Sequence, residues 1–125
     1  MKLLEENGIE IYSHEGVGYE PTMNYGQWRV AIANTAPHLH ESTYERIERH
    51  TETDEVFVLL FGSATLLIGE EGRRYPMEIG KIYNVKKGVF HAVSIEKDSK
   101  VLIVENHNTS KENTEYLYLK GKENE

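Results

Sequence analysis

Residues 44–62, YERIERHTETDEVFVLLFG, carry the pattern that decides the fold. The segment up to His50 alternates as a strand. Tyr44, Arg46, Glu48 and His50 fall on one face, with Glu45, Ile47 and Arg49 on the other, because successive side chains of a strand point to opposite sides of the sheet. A polar turn over 51–54 follows, then an almost unbroken apolar run over 56–61, closed by Gly62. A row of four large polar groups turned inward costs desolvation unless the groups are paired or used. Glu48, His50 and Glu55 lie close together in sequence, and His91 follows a glycine turn further on. Together these groups predict a site inside a barrel. The alternation leaves open whether Asp54 or Glu55 turns inward.

The rest of the chain repeats the same punctuation. Residues 9–13, 27–34, 64–68, 81–85, 91–95, 101–105 and 116–119 read as further short strands, and 73–76 leads away from a tight turn. Residues 14–24 read as a loop because of Gly16, Gly18 and Pro21, and residues 1–6 as a short helix or an irregular arm. Residues 35–42 form a connection holding Pro37, His38 and His40; these two histidines are read as loop residues. Short strands broken by glycine at spacings of roughly 8–12 residues point to a sandwich or barrel. No helical period emerges between Tyr25 and Val104, so the class is all-β. On 27–34, Trp28, Val30 and Ile32 share one face and Arg29, Ala31 and Ala33 the other; Tyr25, Trp28 and Phe57 are expected in the core or the pocket wall.

Composition bounds the partners. A chain of 125 residues suits a single domain, with 121–125 expected to fray. Fourteen Lys and Arg against 21 Asp and Glu give a net charge of -7, a field that repels a phosphate backbone, so nucleic acid is not an expected partner. No apolar run approaches the roughly 18 residues of a membrane span, and the first residues, MKLLEENGIE, hold no signal-like stretch. Cysteine is absent, which removes disulfides and thiolate metal sites and is compatible with the cytoplasmic location expected here.

The two glycine-closed segments resemble the two motifs of the cupins. The first cupin motif is a histidine, one spacer, a second histidine, three or four residues, a glutamate, six residues and a glycine. His50, Glu55 and Gly62 match the second histidine, the glutamate and the closing glycine, and Glu48 stands at the first histidine. In the second motif Gly80, Gly88 and His91 fall in place, with Lys86 where proline is usual and Ile95 where asparagine is frequent. The segment ERHTETDEVFVLL also resembles small ureidoglycolate lyase relatives. The resemblance implies a cupin-like jelly-roll β-barrel with one divalent metal at its mouth, on Glu48, His50, Glu55 and His91. Imidazole and carboxylate donors suit Zn, Mn, Fe, Ni or Co.

The function expected on this basis is a metal-dependent enzyme acting on a small polar substrate, a sugar or a keto or ureido acid, by isomerase, epimerase or lyase chemistry. Arg46 and Tyr44 are the expected substrate-orienting catalytic residues. The alternative is a metal-free binding module with His50 and His91 as hydrogen-bond partners. A non-haem iron dioxygenase ranks third, because Glu48 as a fourth ligand fills a position that oxygen needs and weakens the Lewis acid. A homodimer through 9–13 or 116–119 is expected, since an exposed edge strand needs cover.

Overall fold

The computed structural model describes residues 1–119; the frayed end expected at 121–125 lies outside the described residues. Among the described residues, twelve strands run in order as β1 (Lys2–Glu6), β2 (Ile9–Tyr12), β3 (Tyr19–Tyr25), β4 (Trp28–Asn34), β5 (Arg46–His50), β6 (Glu55–Phe61), β7 (Ala64–Ile68), β8 (Arg73–Pro76), β9 (Tyr83–Val85), β10 (His91–Ile95), β11 (Lys100–Asn106) and β12 (Thr114–Tyr118). Two five-stranded antiparallel sheets, β12-β5-β10-β7-β8 and β3-β4-β11-β6-β9, make a jelly-roll-like sandwich, and β1 with β2 forms a separate hairpin. The expected closed ladder is not formed among the described residues: the two sheets meet through side chains rather than through a ring of backbone hydrogen bonds. No helix among the described residues is long and apolar enough to cross a membrane.

Alternation decides which residues fill the space between the sheets. Phe57 and Leu59 of β6, Ala64 and Leu66 of β7, Val93 and Ile95 of β10, Val101 and Ile103 of β11, and Ala31 and Ala33 of β4 are buried in one apolar cluster. The inner face of β4 is therefore the small-residue face, which overturns the expectation for two aromatics. Tyr25 and Trp28 are exposed and form a cross-strand pair on the outer surface, with ring centroids 6.2 Å apart. Alanines serve on the inner face because bulky side chains of the facing strands already occupy that layer. Phe57 is in the core as expected, 2% exposed.

Two segments expected to lack strand are strands. Residues 2–6 pair with β2 across the Asn7-Gly8 turn, and the stretch assigned to a loop by its glycines and Pro21 holds β3, whose register shifts between Pro21 and Met23. Pro21 sits on an edge strand, where its missing N–H breaks no central ladder.

Gly62 closes β6 at φ +84°, and a Cβ there would lie 2.7 Å from the Cα of Ser99. Both the backbone conformation and the space require glycine. Gly62→Ala is expected to destabilise the fold by about 1–3 kcal/mol, read as a lowered urea midpoint with unchanged slope. An unaltered midpoint would show that the Ser99 turn yields freely.

Candidate functional site

The apolar layer ends in polar groups at one end of the sandwich. Strand β6 starts with Glu55 on the face that continues as Phe57 and Leu59, so its carboxylate enters the interior and is 6% exposed. Asp54 turns outward and fastens the 84–88 turn instead, its Oδ1 accepting from Lys87 N at 2.9 Å and its Oδ2 from Asn84 Nδ2 at 3.1 Å. The choice between the two acids is thereby settled in favour of Glu55. On β5, His50 is buried and Glu48 half-buried. On β10, His91 pairs directly opposite Glu48. Gly88, at φ +81°, gives its N–H to the His50 carbonyl at 2.7 Å, which fixes the turn before His91 against the end of β5.

These elements bring His50, Glu55 and His91 into contact. Both imidazoles donate from Nε2 to one oxygen of Glu55, Oε1, at 2.8 Å from His50 and 2.9 Å from His91. The rings lie 5.3 Å apart, and the edge of Phe57 packs against His91. The other nitrogens are also anchored: His91 Nδ1–H donates to the Val89 carbonyl at 3.0 Å, and His50 Nδ1 meets Thr114 Oγ1 at 3.0 Å. Since a carbonyl only accepts, His91 with both contacts made carries two protons; removal of the Nε2 proton leaves a lone pair aimed into the site.

Titration directions agree with this geometry. Burial, the largest influence on both histidines, pushes their pKa down, but the hydrogen bond and charge of Glu55 prevail and hold both above the ordinary value. Burial likewise pushes Glu55 up and is outweighed by its two imidazole partners, which hold the carboxyl well below the usual range. The raised histidines stabilise the fold fully below their unfolded value of about 6.5, and that contribution disappears as pH rises through their folded values. The lowered Glu55 stabilises above about 4.3, and its contribution is lost as pH falls through its folded value. Metal-free protein is therefore expected to be most stable in the mildly acidic window between these limits and to weaken on both sides. Urea midpoints that stay flat from pH 5 to 8 would contradict the coupling.

The donor set fits a divalent ion. Donor atoms of Glu48, His50 and His91 all lie within 4.8 Å of one another, as do those of His50, Glu55 and Glu105. Imidazole and carboxylate donors match the borderline first-row metals, and the outer anchors on Val89 and Thr114 orient the rings as metal-bound histidines are usually oriented.

A cavity of about 680 Å³ opens beside this cluster, within the range of small-molecule sites. Tyr44 is buried in its wall, its hydroxyl pushed up first by burial and then by Glu41. Arg46 is exposed at the rim, its guanidinium 3.8 Å from the Tyr116 ring centroid and bonded to Tyr118 Oη at 3.0 Å. His38 lines the mouth, whereas His40 pairs with Glu96 at 2.7 Å away from it.

Sequence reasoning missed the opposite wall. Glu105 of β11 is buried and accepts from Tyr19 Oη and, at 2.9 Å, from Arg29 Nη2. Burial, with the Glu55 charge second, raises its carboxyl above the usual range. The signal was present: Glu105 continues the alternation of Val101 and Ile103, and Arg29 that of Ala31 and Ala33, so each apolar inner face ends in a charge.

No family model matches the chain, and no curated protein matches it. Solved structures do. A cupin-2 domain protein from Shewanella frigidimarina NCIMB 400 aligns over 78% of this chain and 85% of its own at 17% identity, with a TM-score of 0.56. Pac13 from Streptomyces, a nucleoside dehydratase also solved with uridine, aligns over 89% of this chain and 87% of its own at 5% identity, with a TM-score of 0.64. HppE in its Fe(II) form aligns over 85% of this chain and 64% of its own at 16% identity, with a TM-score of 0.57. The chain has the cupin fold. At these identities the likeness speaks for architecture, and the chemistry must come from the side chains described above.

Proposed function

We propose that the protein is a metal-dependent enzyme acting on a small polar substrate, of isomerase, epimerase or lyase type, with Glu48, His50, Glu55 and His91 holding one divalent ion. The gathering of donor atoms from Glu48, His50 and His91 within 4.8 Å of one another supports this reading. A bound divalent ion supplies a Lewis acid that polarises a carbonyl or hydroxyl oxygen. The chain does the rest. Val89 and Thr114 hold the imidazole rings in register, and Phe57 shields His91 from water. Tyr44 forms part of the cavity wall, and Arg46, braced by Tyr116 and Tyr118, orients the substrate at the rim. Iron is among the ions to test, because HppE was solved with Fe(II).

A second reading, a metal-free binding module, is favoured by one observation: Glu55 already satisfies both imidazoles without an ion. Metal analysis of protein purified without a histidine tag separates the two. The enzyme reading expects about one divalent ion per chain and a fall in melting temperature on chelation. Protein that carries no ion, takes up none from Mn, Fe, Co, Ni or Zn, and ignores chelators supports the binding module. The proposed assembly is a homodimer through β1–β2, which exposes Leu3, Leu4, Ile9 and Ile11, or through the β12 edge. A monomeric mass in solution would overturn it.

A further inference from the structure

We propose that the wall facing the histidines, made by Tyr19, Arg29, Glu105 and Thr109, is a subsite for the vicinal diol of a neutral, sugar-type ligand. The inference rests on the reading that the cavity takes a small polar molecule, and it narrows that class from sugar or acid to sugar.

Incomplete hydrogen bonding on this wall carries the inference. Arg29 Nε and Thr109 Oγ1 are buried side-chain polar atoms without a hydrogen-bond partner. Both residues line the cavity, and they touch through the Arg29 Nη2 contact to the Thr109 carbonyl. That bond and the one from Arg29 Nη1 to the His107 carbonyl are each 3.3 Å, at the long end of the range. Glu105 takes Tyr19 and Arg29 on the same oxygen, Oε1, and its Oε2 carries no hydrogen bond from the described residues. Buried polar groups normally find partners, so two buried atoms without one on touching residues, together with an open carboxylate oxygen on Glu105, are unusual. Together they offer an acceptor and two donors. A diol is complementary: one hydroxyl donates to Glu105 Oε2, and its neighbour accepts from Arg29 Nε or Thr109 Oγ1 as the guanidinium settles onto it.

Charge selects against an acid. The His50 and His91 imidazoles are matched by Glu55; of the Arg and Lys side chains lining the cavity, Arg46 and Lys111 are exposed, and Arg29, partly buried, is matched by Glu105. A ligand carboxylate on this wall would add a third negative charge beside Glu105 and Glu55, whose oxygens already lie within 4.8 Å of each other. A neutral hydroxyl pair meets no such repulsion.

Calorimetric titration with D-ribose, D-glucose and D-galactose, and with the three corresponding aldonates, tests the subsite. At least one neutral sugar is expected to bind, with its aldonate at least roughly tenfold weaker, and Glu105→Gln and Thr109→Val each weakening the sugar by roughly tenfold. Thr109→Ser keeps the hydroxyl and is expected to retain affinity. Thermal melts identify any variant that fails to fold, and Thr109→Val, nearly isosteric, keeps the test open if Glu105→Gln does so. The inference is overturned if no sugar binds, if an aldonate binds as tightly as its sugar, or if folded variants keep full affinity. Titration of Mn²⁺ and Zn²⁺ into the same proteins separates the two readings. Sugar binding without metal uptake sinks the metal reading and leaves the subsite standing; metal uptake without sugar binding does the reverse.

Discussion

Glu55→Ala is expected to destabilise the protein by about 3–5 kcal/mol and to abolish stoichiometric uptake of a divalent ion. The carboxylate is 6% exposed and accepts from two imidazoles on one oxygen. Its removal leaves both Nε2 groups buried without their partner, at a point where β6 meets β5 and β10 through charge. Glu55→Gln separates the two consequences. The amide oxygen still accepts a hydrogen bond, so a smaller loss of stability is expected, while the missing negative charge still weakens metal binding. Urea unfolding and metal titration on the pair give the answer. An alanine variant as stable as the parent would mean that the histidines are satisfied elsewhere.

Phe57→Ala is expected to cost a similar amount, about 3–5 kcal/mol, for a different reason. The ring is 2% exposed, sits in the apolar cluster between the sheets, and packs its edge on His91 with centroids 5.8 Å apart. Alanine opens a cavity directly beneath the site. His91 then loses the wall that holds its ring, so metal affinity falls along with stability, although no donor atom has been removed. Phe57→Leu should restore most of the stability and less of the affinity, because leucine fills volume without the flat edge. Equal recovery of both would show that His91 is positioned by Val89 alone.

Much of this was legible in the chain, for physical reasons that particular residues make plain. Gly62 and Gly88 mark turns that only a left-handed backbone makes easily, and from them the flanking strands follow. His50, Glu55 and His91 stand at fixed offsets from those turns, so the sequence places them near one another. Asp54 and Glu55 were not separable because the choice depends on β9 and the turn after it, where Asn84 and the Lys87 N–H claim Asp54. Trp28 was misplaced because hydrophobicity alone favours the Trp28, Val30, Ile32 face, whereas the interior at β4 admits only alanine. Tyr19 was hidden behind glycines and a proline that read as loop. Arg29 and Glu105 were hidden by distance, since their cross-strand pairing joins residues far apart in sequence.

The three bonded side chains of the site come from both layers: His50 and His91 from one sheet, Glu55 from the other. The layers are thus riveted by charge at one end and merely glued by apolar contact at the other. A change in the protonation of any one of the three therefore acts on both layers at once.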